Sequence, residues 1–255
     1  MPTSIGQLAV EVTEPESPRF TASLLLVHGL WERAAAWRRF AGYLAHRGWR
    51  CVAVDLGGDG DLAARAAALR GTIAALGAPP VLLGHDLGAT LALQSAEMAR
   101  AVVALTPLLG PPHAEPAPPL YAAGTWLARR RGTPLRAPRG RWHALYPTDD
   151  LCEPALLVRA VAGGALRLTP VPATVPAIVF AAERDPLLDP RQARAVADLV
   201  GAELSVLGGV GHAVLDEPGW ESGVAAIHRW IVQRLGVDLL ALYDEAWEGR
   251  EKPEP

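Results

Sequence analysis

Val81-Leu82-Leu83-Gly84-His85-Asp86-Leu87-Gly88 places an apolar run directly before an aspartate flanked by glycines two residues away on either side. Val81 to Leu83 has the length and composition of a buried strand, and Leu87 to Met98 reads as a helix, so Asp86 falls at a strand-to-helix junction. Small residues at these two places permit a sharp turn that presents the central side chain at the edge of a sheet. A carboxylate there, with an ordinary pKa of about 3.9, is ionised at neutral pH and needs no base to become a nucleophile. Attack on an acyl carbon would give an anhydride, whereas attack on a saturated carbon leaves an alkyl ester on the protein. The simpler reading of Asp86 is an N-cap for the helix that follows, since Asp is favoured at that position. What weighs toward the nucleophile is the rest of the chain.

Upstream, Leu8 to Thr13 reads as an outer strand, Leu24 to Val27 and Cys51 to Val54 as buried strands, and Glu32 to Arg47 and Asp61 to Leu76 as helices. Downstream come a strand at Val102 to Leu105, a strand at Ala177 to Phe180, a helix from Pro190 to Val200, a strand at Leu204 to Leu207 and a helix from Pro218 to Leu235. This alternation predicts an α/β fold with a mostly parallel central sheet flanked by helices. It lapses after Pro107, where prolines and glycines multiply and aromatic residues concentrate, and resumes near Pro170. The expected division is therefore a core of residues 1–106 and 171–255 with a small inserted cap at 107–170. An amphipathic tail, Val237 to Trp247, is expected to form a last surface helix and offers a face for a homodimer.

Composition excludes other classes. With 24 basic and 27 acidic side chains in 255 residues, the net charge of −3 gives no footprint for nucleic acid and no attraction to a membrane surface. Two cysteines, Cys51 and Cys152, cannot build a disulfide framework and fit a reducing compartment. The opening residues, Met1 to Gly6, lack the charged-then-apolar pattern of a leader peptide, so a cytoplasmic protein is expected. No HExxH pattern and no phosphate-cradling glycine loop is present, so neither metal nor nucleotide cofactor is implied. A small-molecule substrate is the partner that remains. Six arginines between Arg129 and Arg141, without an acidic residue, read as a solvated run in a chain whose basic residues are nearly all arginine.

Two further loops complete a chemical set. Ala181-Ala182-Glu183-Arg184-Asp185 follows one buried strand and Gly208-Gly209-Val210-Gly211-His212 follows the next. The order nucleophile, acid, histidine, with each at the C-terminal end of a strand, is where open α/β sheets place their sites. Asp185 is the best partner for the ring of His212, although Glu183 and Asp189 share its loop. Near the N-terminus, Val27-His28-Gly29-Leu30-Trp31 closes the first buried strand, and a glycine there lets the N–H of Leu30 or Trp31 turn toward the site. Together with the N–H of Leu87 it would form an oxyanion hole. His28 reads as a hydrogen bonder that stabilises the loop.

With these stretches the chain resembles the α/β-hydrolases, and Asp86 resembles their aspartate-nucleophile branch, which includes epoxide hydrolases, haloalkane dehalogenases and fluoroacetate dehalogenases. The resemblance implies a cofactor-free triad of Asp86, Asp185 and His212. Haloalkane dehalogenases carry Trp, and fluoroacetate dehalogenases Arg, where this chain has Leu87, so epoxide opening is favoured over dehalogenation. In epoxide hydrolases cap tyrosines protonate the opening oxygen, and Tyr121 and Tyr146 are the candidates here. Trp142, His143 and Tyr146 are similar in type to a halide pocket, and Trp31, Trp126 and Trp142 would supply N–H donors to a halide. A third reading is a noncatalytic or lyase-like member in which Asp has replaced the elbow serine. Retention of both Asp185 and His212 argues against simple loss of activity.

Overall fold

A strand that is apolar at every position must be covered on both sides. The computed structural model describes residues 3–57, 60–108, 135–136, 151–162 and 166–248, with the side chains of 135, 155, 159, 162 and 237–248 outside that description. In chain order its strands are β1 (Thr3–Ile5), β2 (Leu8–Thr13), β3 (Leu24–Val27), β4 (Cys51–Asp55), β5 (Val81–His85), β6 (Ala101–Leu105), β7 (Leu135–Arg136), β8 (Cys152–Glu153), β9 (Ala177–Ala182) and β10 (Glu203–Leu207). The helices are α1 (Arg38–Ala45), α2 (Leu62–Ala75), α3 (Leu87–Leu93), α4 (Ala155–Ala162), α5 (Pro190–Val200) and α6 (Trp220–Glu248).

Eight strands form one sheet in the order β1-β2-β4-β3-β5-β6-β9-β10. β2 pairs antiparallel with β1 and β4, and every other pairing is parallel. Alternation along the strands splits the interior into two layers. Leu25, Val27, Leu82, Val102, Ala104, Val179 and Ala181 face α2, α3 and α5, whereas Leu24, Leu26, Leu83, Val103, Ile178 and Phe180 face α1 and α6. This is the architecture the alternation predicts, and it brings the ends of β3, β5, β9 and β10 to one edge.

The differences from expectation are local. β1 was not anticipated: Thr3-Ser4-Ile5 carries no apolar run and pairs as a short edge through the turn at Gly6. Glu32 to Arg47 is not one helix: Glu32 and an extended Arg33 precede a 3-10 turn at Ala34–Trp37, and α1 follows. The tail is not a separate helix either. α6 runs 29 residues straight through Gly236, which keeps a negative φ and so ends nothing, because a glycine stops a helix by turning left-handed. The side chains on which a dimer face would depend lie outside the described ones. No helix among the described residues is long and apolar enough to cross a membrane. Of the segment 107–170, the antiparallel pair β7–β8 and α4 are described, and Leu157, Val158 and Val161 of α4 are buried in the layer shared with α2 and α3.

Glycine is obligatory where α3 crosses β3. A Cβ on Gly88 would lie 2.1 Å from the carbonyl oxygen of Val27 and 2.5 Å from that of His28, both backbone atoms that cannot rotate away. Gly88→Ala is therefore expected to destabilise by about 3 kcal/mol, the upper end of ordinary overpacking costs. For a chain of this size that lowers the melting temperature by about 6–12 °C, readable in a thermal melt. An unchanged melting temperature would mean that α3 can lift off the sheet freely.

Candidate active site

Asp86 lies immediately after β5 with φ 52° and ψ −120°, a conformation that L residues adopt only under constraint. The flanking glycines let strand and helix close around it. Gly29 is equally constrained, since a Cβ there would meet the Cβ of Asp86 at 2.5 Å. The side chain is fully buried and each of its oxygens has a separate duty. Oδ1 accepts the N–H of Leu30 at 2.8 Å and the N–H of Leu87 at 2.6 Å. Oδ2 faces Nε2 of His212 at 3.0 Å. The bond to Leu87 makes Asp86 a cap of α3 as well, so the simpler expectation is also met, by the same oxygen.

His212 follows β10, and its Nδ1 lies 2.8 Å from Oδ2 of Asp185. Asp185 is itself fixed, its Oδ1 accepting the N–H groups of Leu187 at 2.8 Å and Leu188 at 3.3 Å. The other two acids of that loop do different work. Glu183 accepts from the N–H of Gly209, and Asp189 caps α5 in a reciprocal box with Gln192. Asp86, His212 and Asp185 thus form one continuous buried line. Of the two N–H groups considered upstream, only that of Leu30 points at Asp86. The N–H of Trp31 is turned away by a positive φ of 52° and donates instead to Oε1 of Glu153 at 3.0 Å. His28 donates from Nδ1 to the carbonyl of Gly29 and accepts the N–H of Leu56 on Nε2, both at 2.8 Å, which pins the loop as its sequence suggested.

Both ring nitrogens of His212 face carboxylate oxygens, so both must carry hydrogen. Burial pulls its pKa down, but the charge and hydrogen bond of Asp185 and those of Asp86 outweigh burial and raise it to about 10. For Asp86 burial pushes the carboxyl up, while the hydrogen bond and charge of His212, the charge of His85 and the Leu30 N–H hold it below the usual carboxylate range. The resting site is therefore an imidazolium between two carboxylates, one of which is held between the N–H groups of Leu30 and Leu87.

Four more polar residues surround this line that sequence reasoning did not assign. His85, fully buried at the end of β5, points Nδ1 at Oε2 of Glu32 (3.0 Å) and Nε2 at the carbonyl oxygen of His212 (2.8 Å). The same Glu32 oxygen accepts the N–H of Gly29 at 2.7 Å. Glu153, from β8, is paired through Oε2 with the guanidinium of Arg65 on α2, and Arg33 approaches its other oxygen at 3.9 Å. The consecutive N–H groups of Gly29, Leu30 and Trp31 thus go to three different buried carboxylates. A signal for Arg65 was available: it shares helical spacing with Leu69, Thr72 and Ile73, a cation on the buried stripe of α2. Glu153 gives no such signal, because its partners lie 88 and 122 residues away.

Removing one member of a buried ion pair costs about 3–5 kcal/mol, mostly for the charge left behind. Glu153→Ala is accordingly expected to lower the melting temperature by about 6–20 °C. Replacing Arg65 by Met and Glu153 by Leu together should recover much of that loss. If the double variant melts no higher than Glu153→Ala, the cost lies in the Trp31 N–H rather than in the charge pair.

Tyr121, Tyr146, Trp126, Trp142 and His143 lie outside the described residues. Among those described, no group of three or more His, Cys, Asp or Glu is arranged to hold a metal ion.

Residues 24–220 match the model of the alpha/beta hydrolase family. Solved structures share the fold at low identity. A monoacylglycerol lipase from Paleococcus ferrophilus is 21% identical with a TM-score of 0.68, covering 89% of this chain and 99% of that one. A soluble variant of monoglyceride lipase from Saccharomyces cerevisiae is 14% identical with a TM-score of 0.70, covering 91% and 94%. E-2-(acetamidomethylene)succinate hydrolase is 20% identical with a TM-score of 0.63, covering 91% and 98%. No curated protein matches the chain by sequence.

Proposed function

The chain belongs to the alpha/beta hydrolase family, and we propose that it hydrolyses a substrate at a saturated carbon, opening an epoxide through an alkyl ester on Asp86. The observation that carries this reading is the placement of Asp86 Oδ1 between the N–H groups of Leu30 and Leu87. In a serine esterase that seat receives the carbonyl oxygen of the substrate. Here it is taken by the nucleophile's own oxygen, which leaves no place for the oxyanion of an external ester. The same seat suits the second step of an alkyl-ester route, because the tetrahedral oxyanion then forms on Oδ1 itself, where both donors already wait.

In this reading Oδ2 of Asp86 attacks the epoxide carbon and the C–O bond of the ring breaks. The departing oxygen takes a proton from an acid in the segment 107–170, proposed to be a cap, with Tyr121 or Tyr146 as donor. Water then attacks the Asp86 carboxyl carbon with His212 as base and Asp185 holding its ring. Asp86, Asp185 and His212 are thus the proposed catalytic residues, and Leu30 and Leu87 the proposed oxyanion donors. Leu87, beside the nucleophile, has no side-chain N–H for a halide, which favours an epoxide over a haloalkane.

Turnover of styrene oxide in oxygen-18 water, followed by mass analysis of the peptide carrying Asp86, tests the route. Label is expected in the Asp86 carboxylate after repeated turnovers. Diol formation with an unlabelled peptide would exclude the covalent ester. Halide release from haloalkanes without epoxide turnover would move the assignment to dehalogenation.

A further inference from the structure

We propose that the hydroxyl of Thr106, at the end of β6, holds the water that His212 drives onto the Asp86 carboxyl carbon. The inference rests on the reading of Asp86 as an ester-forming nucleophile, and it supplies what that reading leaves open, a group that aims the water.

Three non-glycine residues among those described have a positive φ: Trp31 and Asp86 at 52° and Thr106 at 41°. The first two line the candidate site, one in the loop after β3 and the other as the proposed nucleophile. A β-branched residue at such a φ is an outlier, and Pro107, which follows, confines Thr106 further toward extended backbone. Strain of this kind persists where the surrounding structure enforces it, and it gathers at sites that bind or react. The side chain adds a second anomaly. Thr106 is fully buried, yet its Oγ1 has no hydrogen-bond partner among the described residues. A buried hydroxyl without a partner is costly, and valine would fill the same volume without that cost.

The backbone sets Thr106 beside the nucleophile. The N–H of Asp86 donates to the carbonyl of Leu105 at 3.1 Å, and the N–H of Leu108 donates to the carbonyl of Asp86 at 3.0 Å. Thr106 and Pro107 therefore bridge two bonds to the same residue. The N–H of Thr106 donates to the carbonyl of Phe180 in β9 at 2.8 Å, which fixes it between the nucleophile and the strand that leads to Asp185. Sheet order decides the side. β3, whose loop gives the Leu30 N–H to Oδ1, flanks β5 on one side; β6 flanks it on the other, and beyond β6 lie β9 and β10, which lead to Asp185 and His212. With Oδ1 held by Leu30 and Leu87 and the alkyl group on Oδ2, water must reach the carboxyl carbon from the side of His212. That is the side on which Thr106 stands.

His212 alone does not aim the water. It takes one hydrogen and leaves the other free to swing, so the lone pair meant for carbon has no fixed direction. An acceptor for the second hydrogen removes that freedom. A threonine hydroxyl suits the part, since it accepts through two lone pairs and can turn its own hydrogen elsewhere. In the first step the alkoxide takes up the His212 proton through the proposed acid of segment 107–170, so His212 meets the water as a neutral base. The water oxygen then bonds to the carboxyl carbon, one hydrogen passes to Nε2 of His212, and the other stays on that oxygen, donated to Thr106 Oγ1. Negative charge gathers on Oδ1 between Leu30 and Leu87. Collapse breaks the bond to the product oxygen, which keeps the electron pair and takes the proton from His212. The carboxylic acid left on Asp86 returns its proton to His212.

The test separates water placement from structural support. Thr106→Val keeps the shape and deletes the hydroxyl. In single turnover of styrene oxide, hydrolysis of the alkyl-enzyme should slow by about tenfold, the worth of one hydrogen bond, and the adduct on the Asp86 peptide should accumulate because its formation does not slow. Thr106→Ser, which keeps the hydroxyl, should recover most of that loss. One arm needs no substrate: the melting temperature of Thr106→Val should equal or exceed that of wild type, because no bond within the protein is lost. A hydroxyl that held the structure together would instead lower it by about 2–4 °C on removal. A fall of that size overturns the proposal. So does hydrolysis of the adduct at the wild-type rate in Thr106→Val, or an equal loss in Thr106→Ser. Each of those results leaves the alkyl-enzyme in place and removes the assignment of Thr106 alone. If neither wild type nor His212→Gln yields any alkyl-enzyme, the reading of Asp86 itself fails and the assignment of Thr106 falls with it.

Discussion

On the proposed alkyl-ester route, Asp86→Ser is expected to abolish epoxide opening and to install hydrolysis of a small activated ester such as p-nitrophenyl acetate. The hydroxyl of serine is un-ionised and cannot displace at a saturated carbon, so styrene oxide turnover should fall by roughly 10,000-fold or more, as when a member of a catalytic triad is removed. The same change empties the seat between the N–H groups of Leu30 and Leu87, which Asp86 Oδ1 fills in the natural chain. An acyl oxygen can then occupy it. His212, relieved of one of its two carboxylates, becomes easier to deprotonate and stands where a base for the serine is needed, with Asp185 still on its far nitrogen. Nothing else has to be built. Ester hydrolysis should exceed that of Asp86→Ala by about 1,000-fold, a small part of the roughly million-fold that separates a working triad from the hole alone. The comparison is of initial rates for the two variants, with folding checked by circular dichroism. Equal ester rates in two folded variants would mean that the N–H groups of Leu30 and Leu87 or His212 are not aligned for acyl transfer, and that the seat of Asp86 Oδ1 is not an oxyanion site.

This prediction also shows which parts of the site a linear reading reaches. Asp86 and His212 are legible because their conformations depend on near neighbours: glycines at 84 and 88 admit the sharp turn, and Gly211 with the strand before it sets the histidine beyond the end of β10. The sheet is legible for a similar reason, since Leu24 to Val27 and Val81 to Leu83 are apolar at every position and only a doubly covered strand uses such runs. Glu32, His85, Arg65 and Glu153 are different. Each is stable only because a partner far away in the chain approaches it, and neither Glu32 nor His85 bears any local mark of the other 53 residues away. Glu32 in fact looked like the first turn of a helix, because its charge and the alanines that follow suit one. The first helical turn instead begins only at Ala34, after an extended Arg33, and the Glu32 carboxylate turns back onto Gly29. Which of Leu30 and Trp31 turns its N–H toward Asp86 is hidden for the same reason: it depends on the positive φ of Trp31 and on Glu153, neither of which a five-residue motif contains.

His212→Gln is expected to stop the proposed reaction halfway. Alkylation requires only the ionised Asp86 and an acid for the departing oxygen. Oδ1 stays anchored by two backbone donors in this variant, so attack by Oδ2 should continue. Hydrolysis of the ester requires a base for water, and a positioned general base contributes roughly 100- to 10,000-fold. Glutamine cannot supply it. Formation then outruns breakdown, and the protein should accumulate as a one-to-one adduct with styrene oxide, seen as a mass increase of one substrate and mapped to the peptide carrying Asp86. Diol appears as a single stoichiometric burst at most, followed by slow release. Asp185→Asn should give a milder form of the same behaviour, since the ring of His212 is kept but its orienting charge is lost. Wild-type protein under the same conditions should show little adduct, because His212 clears it. Should His212→Gln remain free of adduct while the wild type turns the epoxide over, His212 would have to act before the carbon–oxygen bond to Asp86 forms. The occupied oxyanion seat would then have to be explained by something other than an ester on that carboxylate.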